Sequence, residues 1–317
     1  MLKFLFGLGV FSALWIGAGF AVTAAAGPFE PAGRFVDIGG RKLRLVCEGP
    51  KTDAPTIWME AGAWGLAADF AALQQRLAER GLRSCAYDRA GMGFSDPGPS
   101  PRDSAAIVSD LEALIAASGE PGPFILMPHS MGGQHARLFA ARNPDKVAGL
   151  VLLEATTPEM GEDPRAERFL SGVQFVARAA AVSASVGFTR VLYGFGDRIG
   201  LPPQGSKEKK RAYVSGRHAR TSADEVLHWR QGAAQAITAG GYDPDWPVAV
   251  ITAGDPERMG DWNIARRAPE RASRAGYYEN DPAAGHATLL GLTHSDAVLR
   301  GVDHVLAALA APPQETP

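Results

Sequence analysis

The stretch FILMPHSMGG, residues 124–133, decides how this sequence is interpreted. Its apolar residues predict a buried strand that runs through Ser130 straight into a helix at 133–142. A serine at such a turn is typical of a nucleophile elbow, which lifts the hydroxyl above the sheet, and the helix N-terminus behind it favours developing negative charge. Two observations leave an ordinary helix N-cap open as the alternative: Ser130 suits that role as well, and Pro128 stands where the elbow usually has glycine.

Strand and helix patterns alternate on both sides of this stretch. A Gly39-Gly40 turn between two alternating runs predicts a hairpin at residues 34–47. Further patterns predict strands at 55–60, 82–87 and 147–153 and helices at 66–77 and 103–115. This order predicts an α/β fold, with a mostly parallel sheet covered by helices on both faces.

The alternation stops between residues 158 and 245, where the pattern is helical. It resumes with strands at 247–251 and 276–278 and a last helix at 295–309. One helical insertion of this kind predicts a cap over the carboxyl edge of the sheet, where ligands bind in such folds. We therefore expect a core formed by residues 27–157 and 246–317, and a helical cap formed by residues 158–245.

The first 26 residues differ from the rest of the chain. After Lys3 no charged residue occurs up to residue 26, and about 20 apolar residues are enough to span a bilayer. Residues 22–26 (VTAAA) are small, which suits a signal peptidase. We expect export to the periplasm or the extracellular space, with a cleaved signal peptide and a retained membrane anchor both open.

Composition excludes several classes of function. The chain of 317 residues has 32 Lys+Arg against 34 Asp+Glu and no basic run, so we expect no nucleic-acid partner. Two cysteines are too few for a disulfide scaffold or a four-ligand zinc site, and the seven histidines form no HExxH or HxxxH pattern. We expect no metal and no organic cofactor.

A nucleophilic serine needs a base, and His286 is the candidate. It follows Gly285 and the last predicted strand, so the serine precedes the histidine in the chain, as in α/β enzymes with an elbow. The other histidines are interpreted as packing, surface or cap residues: His129, His135, His218, His228, His294 and His304.

The oxyanion of a serine reaction needs two backbone N–H donors. One is expected from Met131, directly after the nucleophile. The other is expected from the loop AGAWG, residues 61–65, where glycines let the backbone approach a substrate, and its position favours Ala63. Trp64 is expected to line the pocket. A simple glycine-rich turn is the alternative for this loop.

From about residue 33 to the C-terminus the sequence resembles a bacterial α/β-hydrolase. It is similar to exported or membrane-anchored serine hydrolases of that superfamily. The matching motifs are LVCEG (45–49), DRAGMGFSDPGP (88–99), HSMGG (129–133) and NPDKVAGLVLL (143–153). The resemblance implies the α/β-hydrolase fold, a serine–histidine–acid mechanism and a cap, but these motifs are not specific to a substrate.

The resemblance leaves two candidates for the acid. Most α/β-hydrolases place it after the strand that follows the cap, which suits Asp255. A minority place it at the end of the strand before the cap, which suits Glu154, and its distance of 24 residues from Ser130 resembles haloalkane dehalogenases and lactone hydrolases of this fold. Dehalogenation itself is disfavoured, because that chemistry resembles an aspartate nucleophile. We favour Glu154, because a carboxylate at the end of a buried strand is costly unless it is paired.

The fold resemblance also makes the strands that carry Cys47 and Cys85 neighbours in the sheet. Because an exported protein meets an oxidising compartment, we expect a disulfide between them. Two buried free thiols are the alternative.

Together these residues and the resemblance predict a serine hydrolase that cleaves a carboxylic ester, small or lipid-like, through an acyl-enzyme. The membrane is a partner if the N-terminal segment is retained. An acyltransferase with the same triad and a non-catalytic binding protein of the same fold are the alternatives. The acyl chain, the alcohol, the choice among ester, lactone, polyester and amide, and the oligomeric state stay open.

Overall fold

The computed structural model describes residues 2–162 and 164–311. Within them a single sheet contains β1 (Arg34–Asp37), β2 (Lys42–Glu48), β3 (Ile57–Glu60), β4 (Ser84–Tyr87), β5 (Phe124–Pro128), β6 (Val147–Leu153), β7 (Val248–Ala253) and β8 (Gly276–Asp281).

The helices of the described residues are α1 (Leu2–Ala25), α2 (Ala71–Glu79), α3 (Ser104–Ser118), α4 (Gly132–Arg142), α5 (Pro164–Ser185), α6 (Pro203–Tyr213), α7 (Gly216–Leu227), α8 (Trp229–Ala239), α9 (Pro256–Met259), α10 (Asp261–Ala272) and α11 (Asp296–Ala310). Short 3-10 helices lie at Ala67–Phe70, Pro144–Lys146, Pro158–Glu162, Phe188–Phe195 and Thr288–Leu290.

The sheet order is β1-β2-β4-β3-β5-β6-β7-β8. The hairpin β1–β2 is antiparallel, β2 pairs antiparallel with β4, and all later pairs are parallel. The predicted mostly parallel sheet is therefore confirmed. Because β3, β5, β6 and β7 run in one direction, the loops after them meet at one edge of the sheet, and all the candidate catalytic groups follow these strands or β8.

The sheet separates two apolar layers. On β3 the side chain of Met59 packs with α2 and α11, while its neighbour Trp58 packs with α3 and α4. Both residues are almost fully buried, as expected when successive side chains of a central strand point into opposite layers. These layers hold the carboxyl ends of the strands in fixed positions.

Helices α5 to α8 form the chain between β6 and β7. Buried ion pairs join α6 and α7 to the sheet side of the molecule: Glu208 binds Arg44 at 2.6 Å, and Glu225 binds Arg89 at 2.7 Å. Helix α8 packs against α3 and α4. Helices α5 and α7 pack on Ala63 and Trp64 of the loop after β3, and we refer to α5, α6 and α7 as the cap.

The apolar helix α1 and a disulfide between β2 and β4 complete the fold. Within α1, residues Phe6–Ala25 have a mean hydropathy of 1.8 and are long and apolar enough to cross a membrane; little of this segment is buried. In the pair β2–β4, Cys47 lies directly opposite Cys85, and a disulfide joins them.

Candidate active site

Ser130 lies at a tight turn between β5 and α4. Its φ angle is +53°, in the left-handed region that non-glycine residues seldom adopt. The turn is held because the Ser130 N–H donates to the Leu153 carbonyl at 3.1 Å. Pro128 leaves the preceding strand intact, since the next amide, His129 N–H, still donates to the Glu60 carbonyl at 2.9 Å. A β carbon at Gly132 would lie 2.5 Å from the Glu60 carbonyl oxygen, so only glycine lets α4 start this close to β3.

The structure brings Ser130, His286 and Glu154 into one hydrogen-bonded chain. The Ser130 Oγ lies 3.0 Å from His286 Nε2, and His286 Nδ1 lies 3.0 Å from Glu154 Oε2. The serine follows β5, the glutamate follows β6 and the histidine follows β8. This geometry lets the imidazole accept the serine proton while the carboxylate orients it.

Glu154 is buried, with 4% of its surface exposed, but its carboxylate is well paired. It accepts the Ala253 N–H at 3.0 Å and forms an ion pair with Arg266 on α10 at 3.1 Å, in addition to the contact with His286. Burial alone would raise the pKa of Glu154. The hydrogen bond from His286 and the positive charge of Arg266 outweigh burial, so the pKa lies below its ordinary value and the group is ionised at neutral pH.

Asp255, the other candidate acid, occupies a different place. It is exposed and caps the short helix α9, where its Oδ1 accepts the Glu257 N–H at 3.0 Å. The hydrogen-bond partner of His286 Nδ1 is Glu154, and the strand β7 contributes the Ala253 amide to that same carboxylate.

The loop after β3 reaches the serine at very close range. A β carbon at Gly62 would lie 2.8 Å from the Ser130 β carbon, so a larger residue would collide with Ser130. The next peptide, between Gly62 and Ala63, is fixed by its carbonyl, which accepts from Arg89 Nη2 at 2.9 Å and from the Gly65 N–H at 3.1 Å. Because a trans peptide directs its N–H opposite to its C=O, the Ala63 N–H faces away from Arg89.

The Met131 amide is oriented in the same way. The Ser130 carbonyl of that peptide accepts from the Gly133 N–H at 3.0 Å and from the Thr156 N–H at 2.8 Å. Neither Met131 N–H nor Ala63 N–H donates to an acceptor among the residues that the structure describes. Two oriented donors beside a serine hydroxyl are what an oxyanion requires.

Arg89 is the centre of a buried charge network behind this loop. Its guanidinium pairs with Glu60 at 2.9 Å and Glu225 at 2.7 Å, and it also donates to the carbonyls of Ala61 and Gly62. Burial would lower the pKa of Arg89, but the carboxylates of Glu225 and Glu60 raise it, so the group stays charged. One side chain therefore fixes the loop after β3 and ties it to α7 of the cap.

His129 supports the loop that carries His286. Its Nε2–H donates to the His286 carbonyl at 2.9 Å, and the two rings lie 4.7 Å apart. Burial, together with the charge that His286 can carry, holds the pKa of His129 well below its ordinary value. A neutral ring at this position adds no repulsion when His286 accepts a proton.

His218 on α7 makes a second connection between the cap and the site. It is buried, its Nδ1 accepts the Gly93 N–H at 3.0 Å, and its Nε2 lies 3.3 Å from the Trp64 carbonyl. Burial and the charge of Lys209 lower the pKa of His218 to about 3. His218 is a buried residue of α7 and not a surface one.

A cavity of about 290 Å³ opens above Ser130. Residues of the sheet edge and of the cap line it, including Ala63, Trp64, His286, Phe195 and Tyr213. Trp64 lies in the loop after β3 and has a φ angle of +55°, in the left-handed region. It forms part of the wall of this cavity.

Three charged residues of the site were not predicted from the sequence: Arg89, Glu60 and Arg266. Arg89 belongs to the DRAG motif, which follows a buried strand directly. Charged side chains at such a place are costly to bury unless they are paired, so the motif could have indicated a buried partner for Arg89. The sequence around Arg266 contains no comparable motif. Arg266 reaches Glu154 only because α10 packs against β7 and β8 in the folded protein.

Comparison with known proteins decides the family. A family model described as alpha/beta hydrolase fold matches residues 61–291. The chain belongs to this family. This alpha/beta hydrolase is 25% identical over 232 residues to an uncharacterized protein of Schizosaccharomyces pombe, a match that covers 71% of this chain and 41% of the relative.

Two further matches of this alpha/beta hydrolase are to proteins described as enzymes. It is 45% identical over 69 residues to Lipase LipV of Mycobacterium tuberculosis, covering 22% of this chain and 26% of that one. The solved structure of an epoxide hydrolase from Vigna radiata superposes with a TM-score of 0.65 at 19% identity, covering 86% of this chain and 98% of that one, and this likeness shows the fold alone. The chain spans about half or less of the length of the curated relatives that match it over the longest stretches.

Proposed function

We propose that this alpha/beta hydrolase is a serine hydrolase that cleaves carboxylic esters through an acyl-enzyme. The observation that carries the proposal is the continuous chain from Ser130 Oγ through His286 to Glu154, with each link at 3.0 Å. Two oriented N–H groups, of Ala63 and Met131, support it, and the local similarity to a lipase agrees with it.

The first half of the reaction forms the acyl-enzyme. His286 Nε2 takes the proton of the Ser130 hydroxyl while Oγ attacks the carbonyl carbon, and the Ala63 and Met131 amides bind the resulting oxyanion. Glu154 keeps Nδ1 protonated and stabilises the imidazolium. The C–O bond then breaks, the alcohol leaves with the proton from His286, and the acyl group stays on Ser130.

The second half releases the acid. A water molecule gives a proton to His286 and attacks the acyl carbonyl through the same oxyanion, after which Ser130 leaves and takes the proton back. If an alcohol replaced water in this step, the product would be a new ester, which is the transferase alternative. The acceptor that reaches the acyl-enzyme therefore separates the two reactions.

A labelling experiment tests the proposal. A fluorophosphonate should add one adduct at Ser130, and Ser130→Ala should lose both the adduct and turnover of nitrophenyl esters from acetate to palmitate. Labelling that survives the substitution would refute the nucleophile. Stoichiometric binding without turnover would favour the non-catalytic alternative, and product esters in the presence of an added alcohol would favour acyl transfer.

We also propose that α1 places this enzyme at or beyond a membrane. Its 20-residue apolar segment and the disulfide between Cys47 and Cys85 are both typical of an exported or anchored protein. N-terminal sequencing of the protein from membrane and soluble fractions distinguishes a retained anchor from a cleaved signal.

A further inference from the structure

The exposed large apolar residues of the described chain are concentrated in two places. Seven lie on α1, and eight lie on α5, the turn after it and the following 3-10 helix: Phe169, Phe175, Val176, Val182, Val186, Phe188, Leu192 and Phe195. Phe175 is 74% exposed and Val182 67%. We call these eight residues the outer face of the cap. Apolar patches of this kind on a soluble protein mark sites of interaction.

Helix α1 joins this outer face. The Trp15 ring stacks on Phe188 at 5.6 Å, and its Nε1–H donates to the Phe188 carbonyl at 2.9 Å. The Arg190 guanidinium lies 4.3 Å from the centre of the Phe20 ring. A β carbon at Gly19 would lie 2.7 Å from the Arg190 β carbon, so glycine is what permits this approach. The apolar helix and the outer face therefore form one continuous surface.

The same part of the chain carries a strong excess of positive charge. Residues 164–220 contain eleven Lys and Arg against three Asp and Glu, although the whole chain has 32 against 34. Five of these cations are exposed: Arg168, Arg178, Arg198, Lys207 and Arg220. Apolar side chains with cations around them match an anionic bilayer, where each nearby Lys or Arg adds to the attraction.

Two neighbouring cavities lie between the outer face and Ser130. A mainly apolar cavity of about 330 Å³ lies between α5, α6 and α7 and is lined by Val176, Ala180 and Ala184. It shares Trp64, Lys209 and Tyr213 with the cavity above Ser130. The side chains that α5 contributes to this cavity are small and apolar, and Val176 belongs to both the outer face and this cavity.

We propose that the outer face of the cap docks on an anionic lipid bilayer beside α1, and that the acyl chain of an ester substrate enters from that bilayer along α5 to Ser130. The docking follows from the exposed apolar residues, the adjoining apolar helix and the surrounding cations. The entry of the acyl chain rests on the proposed function, and it assigns long-chain lipid esters as the substrate class.

Depth-dependent fluorescence tests the docking without any turnover. The full chain carries an environment-sensitive label at Phe175→Cys, with Ala307→Cys on α11 as the matched control, in nanodiscs of phosphatidylcholine with or without phosphatidylglycerol. The native cysteines are joined in the disulfide and do not react. Doxyl lipids labelled near the headgroup should quench the label at 175 but not at 307, and phosphatidylglycerol should strengthen the quenching in a salt-sensitive way.

Equal quenching at both positions, or none at 175, would overturn the docking. Nanodiscs that hold two copies of the chain test a further outcome. Energy transfer between the labels of the two copies, without quenching by doxyl lipids, would mean that the outer face binds a second copy of the chain, and this result would also overturn docking on the bilayer.

A kinetic arm tests the entry of the substrate. Two rates are compared: hydrolysis of a long-chain ester in anionic vesicles and hydrolysis of a short-chain ester in water. The ratio of the first to the second should fall about tenfold in Phe175→Asp, because the bilayer no longer buries an aromatic side chain at this position. Ala307→Asp, with the same added charge, should leave the ratio unchanged. An unchanged ratio in Phe175→Asp would refute entry from the bilayer. Absence of turnover of both esters by the native chain would refute the proposed function and leave the fluorescence result standing.

Discussion

The sheet edge under the cap and the outer face of the cap use opposite chemistry. Under the cap, ionised side chains are buried and paired: Arg89 with Glu60 and Glu225, and Arg266 with Glu154. On the outer face, large apolar side chains such as Phe175 are exposed. A soluble enzyme normally shows the reverse distribution.

This difference suggests that the helices between β6 and β7 have two roles, one toward the site and one toward the surroundings of the protein. Buried ion pairs are strongly directional and costly to break, so they hold the catalytic loops in one geometry. An exposed apolar face has no such directionality, and it suits a partner without fixed shape, such as a bilayer. The cap therefore fixes the site through the ion pairs of α6 and α7, and the outward side of α5 is left to contact what lies outside.

Removing the acid should produce the largest effect. Glu154→Gln loses the charge that orients His286 and stabilises its imidazolium, so kcat should fall by a factor on the order of 10³ to 10⁴. Asp255→Asn is the control and should retain most activity, because Asp255 lies outside the hydrogen-bonded chain. Steady-state kinetics on a nitrophenyl ester, with folding checked by circular dichroism, measures both; loss of activity in Asp255→Asn alone would reverse the assignment.

A smaller but still large effect is expected from Arg89→Lys. Lysine keeps the charge but cannot bind two carboxylates and two carbonyls at once, so the Gly62–Ala63 peptide loses its orientation. We expect kcat to fall on the order of tenfold to a hundredfold with little change in KM, less than the loss of a whole oxyanion donor.

Binding of a boronic acid transition-state analogue distinguishes a loss of orientation of the Gly62–Ala63 peptide from a general disturbance of the fold. Its affinity for Arg89→Lys should fall in parallel with kcat/KM. The control, Glu225→Gln, leaves the arginine on the two carbonyls and should keep most of that affinity. A variant with unchanged kcat but raised KM would assign Arg89 to substrate binding instead.

His218 should make the contact between cap and core sensitive to acid. Its pKa is about 3 in the folded protein against about 6.5 in the unfolded chain, so between these pH values the unfolded state binds more protons. The contribution to stability is present above pH 6.5 and decreases as the pH falls, by up to about 1.4 kcal/mol per pH unit. In His218→Asn the free energy of unfolding, measured in urea from pH 7 to pH 4, should fall less steeply; an identical slope would contradict this account.

The smallest effect is expected on the outer face. Phe175→Ala removes a side chain that is 74% exposed, so the free energy of unfolding in detergent should change by less than about 0.5 kcal/mol. Leu170→Ala on the same helix removes a side chain that is only 3% exposed and should cost about 2 to 5 kcal/mol. Similar losses in the two variants would mean that the outer face is covered by protein.

The fold and the turn at Ser130 could be predicted from the sequence because both depend on residues that are close together in the chain. The apolar strand, the serine and the following glycines are contiguous, and their backbone requirements can be read in order. Glu154 needed the resemblance, since two carboxylates followed suitable strands. The network of Arg89, Glu60 and Glu225 could not be predicted, because its members come from β3, the loop after β4 and α7, and only the packed cap brings them together.

The disulfide between Cys47 and Cys85 encloses more than two strands. The 38 residues of separation include β3, the whole loop after it and α2, so the covalent ring contains Gly62, Ala63 and Trp64. In the chain-entropy view, closing a ring of this size stabilises the fold by about 4 kcal/mol. A chain produced in a reducing cytosol lacks that restraint on the loop that carries the Ala63 N–H. Recombinant enzyme should therefore be made in an oxidising compartment, and its specific activity becomes a measure of how completely the ring has closed.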